Sequence, residues 1–139
     1  MRAPADAPEI RAVVIEREMP FPAERIWRAL TQPHLIAEWL LKSDFRPEVG
    51  HAFQFTQDWG AVDCRVTEVE PERSLAYTWA AFGLESTVTW TLTPTGRGTN
   101  LRMEQVGFRR DQEEAYRGAR AAWGNFIRQL ETVLERQDT

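Results

Sequence analysis

From Thr87 to Thr93 the chain alternates threonine with a large apolar group: Thr87, Thr89, Thr91 and Thr93 on one period, Val88, Trp90 and Leu92 on the other. A strand places successive side chains on opposite faces, whereas a helix would scatter this pattern around its axis. The stretch STVTWTLT therefore predicts an antiparallel strand with one solvated face and one buried face. A sheet with one apolar face needs something to cover it.

The same period-two pattern recurs nearby. AFQFTQ puts Phe53 and Phe55 on one face, AVDCRVTEV puts Val62, Cys64 and Val66 together, and LAYTWAA aligns Leu75, Tyr77 and Trp79. TNLRMEQVGF sends Leu101, Met103 and Gln105 inward and Asn100, Arg102 and Glu104 outward. QDWG, PERS, FGLE and TPTGRG separate these runs as turns. Near the start, RAVVIEREM forms another strand, with Val13, Ile15, Arg17 and Met19 on one face. Pro20 and Pro22 end it, and Pro22 suits a first helical position, where a missing N–H costs nothing. Ile26, Trp27 and Leu30 follow at helical spacing, Thr31-Gln32-Pro33 interrupts, and Leu35, Ile36, Trp39 and Leu40 mark a second short helix.

The cover is at the C-terminal end. From Asp111 to about Arg136, Ala115, Ala119, Ala122, Trp123, Phe126, Ile127, Leu130, Val133 and Leu134 form one stripe at helical spacing. Alanines line its first half and bulky groups its second. The order strand, two short helices, five strands, long helix predicts an α+β fold: an antiparallel sheet of about six strands with helices on one face.

A chain of 139 residues is the size of one domain, expected over residues 10–136. Residues 1–9, rich in Ala, Pro and acid, read as a disordered tail. The net charge of −4, with both signs interleaved, gives phosphates no basic stripe and excludes nucleic acid as a partner. No apolar run reaches signal-peptide or membrane-spanning length, so the reading is a cytoplasmic protein without membrane insertion. Cys64 is the sole cysteine and forbids an internal disulfide. His34 and His51 lack metal-ligand spacing, so no metal is expected. No motif for a cofactor, a nucleophile elbow, a phosphate loop or a carboxylate dyad is present, and no catalytic residue is assigned.

The candidate site follows from what faces the sheet–helix gap. Trp39, Trp79, Trp90 and Trp123 come from four separate elements that all point there. Rigid aromatics make a core or the wall of a pocket, and the alanine half of the last helix gives them little to pack against. Phe55, Met103 and Ala119 complete the expected wall. Arg17 on the inward face is a charge among apolar groups and must be paired or solvated. One reading makes it the receptor for a carboxylate or enolate. The other has it bridging Gln105, Tyr77 or backbone carbonyls, or reaching the rim. Tyr77 and Gln105 either orient a ligand or satisfy each other.

Four motifs, PFPAERIWRALTQP with the following Trp39, VTEVEPERSLAYTW, STVTWTLTPTGRGTNLRMEQVGF and AWGNFIRQLETVLE, occur in an order that resembles the START-like, or SRPBCC, superfamily. They are most similar to the subgroup named for the C-terminal domain of the activator of the heat-shock protein 90 ATPase. The resemblance runs from about Ile10 to Glu135. It implies a helix-grip (Bet v-like) fold, a curved sheet gripping the C-terminal helix around a ligand cavity. Three positions depart from the subgroup's pattern: Cys64 and Ala122 replace glycines and Gln105 replaces a histidine. All three touch the implied cavity wall. Eukaryotic activators carry a separate N-terminal domain that contacts the chaperone, for which 139 residues leave no room.

Three functions are weighed. The first is a binding module for a small hydrophobic or aromatic molecule, lipids and acidic molecules included. The second is a cyclase- or hydrolase-type enzyme on a polyketide-like or aromatic substrate, with Tyr77 carrying the proton, since neither Arg17 nor Gln105 is a ready base. The third is a chaperone-associated, stress-related interaction domain using the outer threonine face, which predicts an exposed apolar patch. A homodimer and contact with a chaperone are left open as further partners.

Overall fold

The computed structural model describes residues 11–136; the expected tail and Ile10 lie outside the described residues. The alternating segment is the centre of β6 (Leu84–Pro94), where Val88, Trp90 and Leu92 are buried while the intervening threonines keep contact with solvent. Before it come β1 (Arg11–Met19), α1 (Ala23–Thr31), α2 (Pro33–Trp39), β2 (Lys42–Ser43), β3 (Ala52–Gln57), β4 (Gly60–Glu70) and β5 (Ser74–Ala81); after it, β7 (Thr99–Phe108) and α3 (Glu113–Arg136). The antiparallel sheet has seven strands in the order β1-β7-β6-β5-β4-β3-β2. The strand beyond the expected six is β2, two residues paired with Thr56 and Phe55. It is too short to show any period.

The hairpins are tighter than the turn signals suggest. Of FGLE only Phe82 and Gly83 lie outside the strands, both at positive φ (52° and 83°), the geometry of a two-residue hairpin turn whose twist matches the sheet. Phenylalanine is an uncommon choice for the left-handed region. At Gly98, closing the β6–β7 hairpin, an added Cβ would stand 2.1 Å from the Met19 carbonyl, so only glycine fits.

α3 begins at Glu113, two residues after the Asp111 start expected for the helical segment. Its bulky half, with Ile127, Leu130, Val133 and Leu134 buried, packs against α1, α2 and β1. Trp39 ties the short helices together by donating from Nε1 to the Ala29 carbonyl at 2.8 Å. Two ion pairs fasten the helix along the β1 edge: Arg11 with Glu113 in its first turn, and Arg17 with Glu131 in its second half at 3.1 Å. Held on that side, the alanine half of α3 stands over the middle of the sheet with small side chains beneath it. No described helix is long and apolar enough to cross a membrane.

Candidate functional site

Under that half of α3 lies a cavity of about 670 Å³, within the usual range for small-molecule sites. Its roof is Ala115, Gly118, Ala119, Ala122, Trp123 and Phe126 of α3; its floor is Val62, Trp79, Ala81, Leu84 and Gln105 from β4 to β7. Trp59 from the β3–β4 turn and Phe82 from the β5–β6 turn stand at the mouth, 54% and 81% exposed, with ring centroids 5.7 Å apart. Asp111, Gln112, Glu113 and Glu114 close the end nearest the start of the helix.

Of the expected wall, Trp79, Gln105, Ala119 and Trp123 line this cavity. Trp39, Phe55, Trp90 and Met103 are core residues behind it, each 2% exposed or less. The four inward tryptophans form a continuous chain, Trp39 to Trp90 to Trp123 to Trp79, with centroids 5.6, 5.7 and 5.2 Å apart. The first two contacts are edge-to-face and the third is tilted; edge-to-face geometry favours aromatic pairs beyond their buried area. Both answers to the question of core or wall therefore hold: the chain starts in the core and surfaces at the cavity with Trp79 and Trp123.

Arg17 points to the helix side of β1, as the alternation requires, but it is outside the cavity wall. Its guanidinium is spent on Glu131, and its side chain is 35% exposed at the sheet edge. The partner is neither Gln105 nor Tyr77, because β1 is an edge strand and α3 brings a carboxylate within reach. In this position Arg17 is a strut between strand and helix, close to the reading that has it bridged by protein groups or reaching the rim, with Glu131 as a partner that reading did not name.

Tyr77 and Gln105 share a face without touching. Val88 of β6 pairs with both and stands between them, leaving two strand spacings, about 10 Å, across the sheet. Each finds a tryptophan instead. Trp90 Nε1 donates to Tyr77 Oη at 3.0 Å. Burial drives the Tyr77 phenol well above its ordinary value, the Trp90 hydrogen bond pulling modestly the other way. Tyr77 is outside the cavity wall, so the phenol expected to orient a ligand or move its proton is a buried packing group. Gln105, 1% exposed, accepts from Trp123 Nε1 at 2.7 Å and donates from Nε2 to Ser86 Oγ at 2.9 Å; Ser86 donates in turn to the Trp79 carbonyl at 2.9 Å. This relay fixes the orientation of Trp123 and anchors the strand that bears Trp79.

Every charged residue among the described lining groups is a carboxylate. Asp111 pairs with Arg109 at 3.2 Å, and Glu113 with Arg11 and, at 3.1 Å, Arg117; these arginines lie outside the wall. Among the described residues no three His, Cys, Asp or Glu side chains gather closely enough to hold a metal. Of the three positions that depart from the resembled pattern, Gln105 and Ala122 line the cavity, while Cys64 borders a separate cleft on the outer face with Asp63 and Arg65. Burial raises the Cys64 thiol above its usual range, Asp63 adding to the effect, which makes it a packed apolar group.

Trp59 and Phe82 are the functional candidates that periodicity alone passed over. Their signal was present: two tight turns, each carrying an aromatic where polar residues are usual.

Comparison with known proteins places this architecture. The sequence model of the family described as Activator of Hsp90 ATPase homolog 1-like protein matches residues 20–135. The crystal structure of protein MLL2253 from Mesorhizobium loti is 54% identical, covers 93% of this chain and 100% of its own, and superposes with a TM-score of 0.90. DynU16, from the dynemicin biosynthetic locus, is 28% identical with a TM-score of 0.81; the match covers 89% of this chain and 47% of that one. The solution structure of Bacillus halodurans BH1534, at 22% identity and a TM-score of 0.80 over 89% of this chain and 96% of that one, shares the fold. No curated protein matches. The chain belongs to the family of activator of Hsp90 ATPase homolog 1-like proteins and has its α+β helix-grip fold.

Proposed function

We propose that the protein is a binding module for a small, uncharged aromatic or otherwise hydrophobic molecule, held between the sheet and the alanine half of α3. The observation that carries this reading is the cavity of about 670 Å³ walled by Trp79, Trp123, Phe126, Leu84 and the helix alanines. A chain that needed these tryptophans only for stability would gain from filling that space, since close packing and burial both favour the folded state. Small residues at 115, 118, 119 and 122 keep it open.

An acidic ligand, the class Arg17 would have received, is disfavoured here. Arg17 is engaged elsewhere, and the described cavity wall offers a carboxylate no cation: its charged groups are Asp111, Glu113 and Glu114, the first two already paired with arginines outside it. The enzymatic alternative loses Tyr77 as its proton carrier, because that phenol is enclosed, bonded to Trp90 and harder to ionise than usual. The interaction alternative looked for an apolar patch on the threonine face. The exposed aromatic pair is Trp59 and Phe82 at the cavity mouth, where an entering ligand would meet it. The dynemicin locus of the relative DynU16 is consistent with a domain that handles organic molecules.

Titration with N-phenyl-1-naphthylamine, a neutral aromatic probe, tests the reading. Saturable one-to-one binding with quenching of tryptophan emission is expected, and 1-naphthoate should bind more weakly than 1-naphthalenemethanol. Absence of saturable binding to folded protein would refute it.

A further inference from the structure

We infer that the cavity selects ligands carrying a neutral oxygen acceptor, a ketone or quinone carbonyl on an aromatic frame, and that the second amide N–H of Gln105 is the group that reads it. The inference rests on the ligand-binding reading above and adds the chemical class.

The amide has only one self-consistent orientation. An indole N–H can only donate, so Trp123 Nε1 must meet the amide oxygen of Gln105. Nε2 then faces Ser86 Oγ. The single hydroxyl hydrogen of Ser86 goes to the Trp79 carbonyl, which leaves Ser86 able only to accept from the amide. One Nε2 hydrogen is thereby used. The other meets no acceptor among the described residues, and the neighbours of Gln105 on the same sheet face are Val13 and Val88, which have no side-chain acceptor. The side chain is 1% exposed and belongs to the cavity wall.

A donor in that position discriminates. A hydrocarbon lying against Gln105 leaves this donor bare, at the desolvation cost of the group, whereas a carbonyl oxygen gives it a partner. Because the relay already fixes the amide through Trp123 and Ser86, little ordering cost is incurred at binding. A carboxylate would also accept this bond, but the described wall holds no cation to offset its desolvation, so the neutral acceptor is the better fit.

1-Tetralone and tetralin share one bicyclic frame and differ by the carbonyl. Displacement of N-phenyl-1-naphthylamine should show the ketone binding about tenfold more tightly to the wild-type protein, the factor set by one satisfied against one bare donor. The ketone is also the better hydrated of the two, so water solubility works against this result. In Gln105→Leu the ratio should fall to about one or below. The infrared carbonyl stretch of bound 1-tetralone should lie at lower wavenumber in the wild type than in Gln105→Leu, a readout that a purely structural role for Gln105 would not move. If Gln105→Leu does not fold, the wild-type ratio and a stretch lowered relative to that in hexane decide the matter. Equal or tighter binding of tetralin, or an unlowered stretch, overturns the inference while leaving the cavity reading in place. Displacement by neither compound also overturns the inference, whereas failure of N-phenyl-1-naphthylamine itself to bind overturns the cavity reading.

Discussion

Replacing Trp90 and Trp79 separately by alanine separates core from wall. A buried tryptophan removes on the order of 150–250 Å² from water, which at about 25 cal/mol/Å² amounts to roughly 4–6 kcal/mol as an upper bound. Trp90 is 0% exposed, lies against Trp39 and Trp123, and donates to Tyr77. Trp90→Ala therefore loses the whole transfer term, leaves a cavity and strips Tyr77 of its donor, for about 4–5 kcal/mol in all. Trp79 is half-buried and already faces open space, so Trp79→Ala should cost about half as much, ~2 kcal/mol. Urea denaturation followed by far-UV circular dichroism gives both numbers. Binding should reverse the order: Trp79→Ala weakens N-phenyl-1-naphthylamine by about tenfold, while any folded Trp90→Ala protein changes it less. Equal destabilisation by the two substitutions would refute the division of the tryptophan chain.

The other expectations follow from equally local features. Ala119→Phe should fill the cavity and abolish probe binding with little change in melting temperature, whereas Ala121→Phe, on an exposed position outside the wall, should leave binding intact. Gly124 lies in α3 with open space around an added Cβ, so Gly124→Ala should stabilise by up to ~1 kcal/mol, while Gly98→Ala, forced against the Met19 carbonyl, should destabilise by about 2 kcal/mol or more in the same urea assay. Tyr77 has its folded-state value raised above the unfolded one by burial, so native protein holds the phenolic proton where the unfolded chain has released it. The stability this gives is fully present below about pH 10 and is lost as pH climbs toward the raised value. Alkaline denaturation curves should accordingly fall more steeply for the wild type than for Tyr77→Phe.

What could be read from sequence and what could not divide along a physical line. Strand faces were legible because a period of two survives whatever the strand packs against: Val88, Trp90, Leu101, Met103 and Gln105 all point where alternation puts them. The alanine half of α3 was legible as a stripe of small residues, which by itself left open whether they let the helix approach closely or leave space. Partner choice was not legible. Arg17 faces the helix as expected, yet its partner Glu131 is 114 residues away along the chain, and only the placement of α3 over the sheet edge makes the pair. Mutual pairing of Tyr77 and Gln105 stayed open because alternation gives the face but not the strand order, and Val88 turns out to separate them. Trp59 and Phe82 have no period at all, and their role at the mouth comes from two turns meeting in space.

The central claim is spatial: a neutral aromatic molecule occupies the gap under the alanine half of α3. Chemical-shift mapping with N-phenyl-1-naphthylamine tests it most directly. Ring-current shifts should concentrate on the methyl groups of Ala115, Ala119 and Ala122 and on the indole signals of Trp79 and Trp123, with Trp39 nearly unmoved. Shifts centred instead on the outer cleft at Asp63, Arg65 and Thr78 would contradict the account.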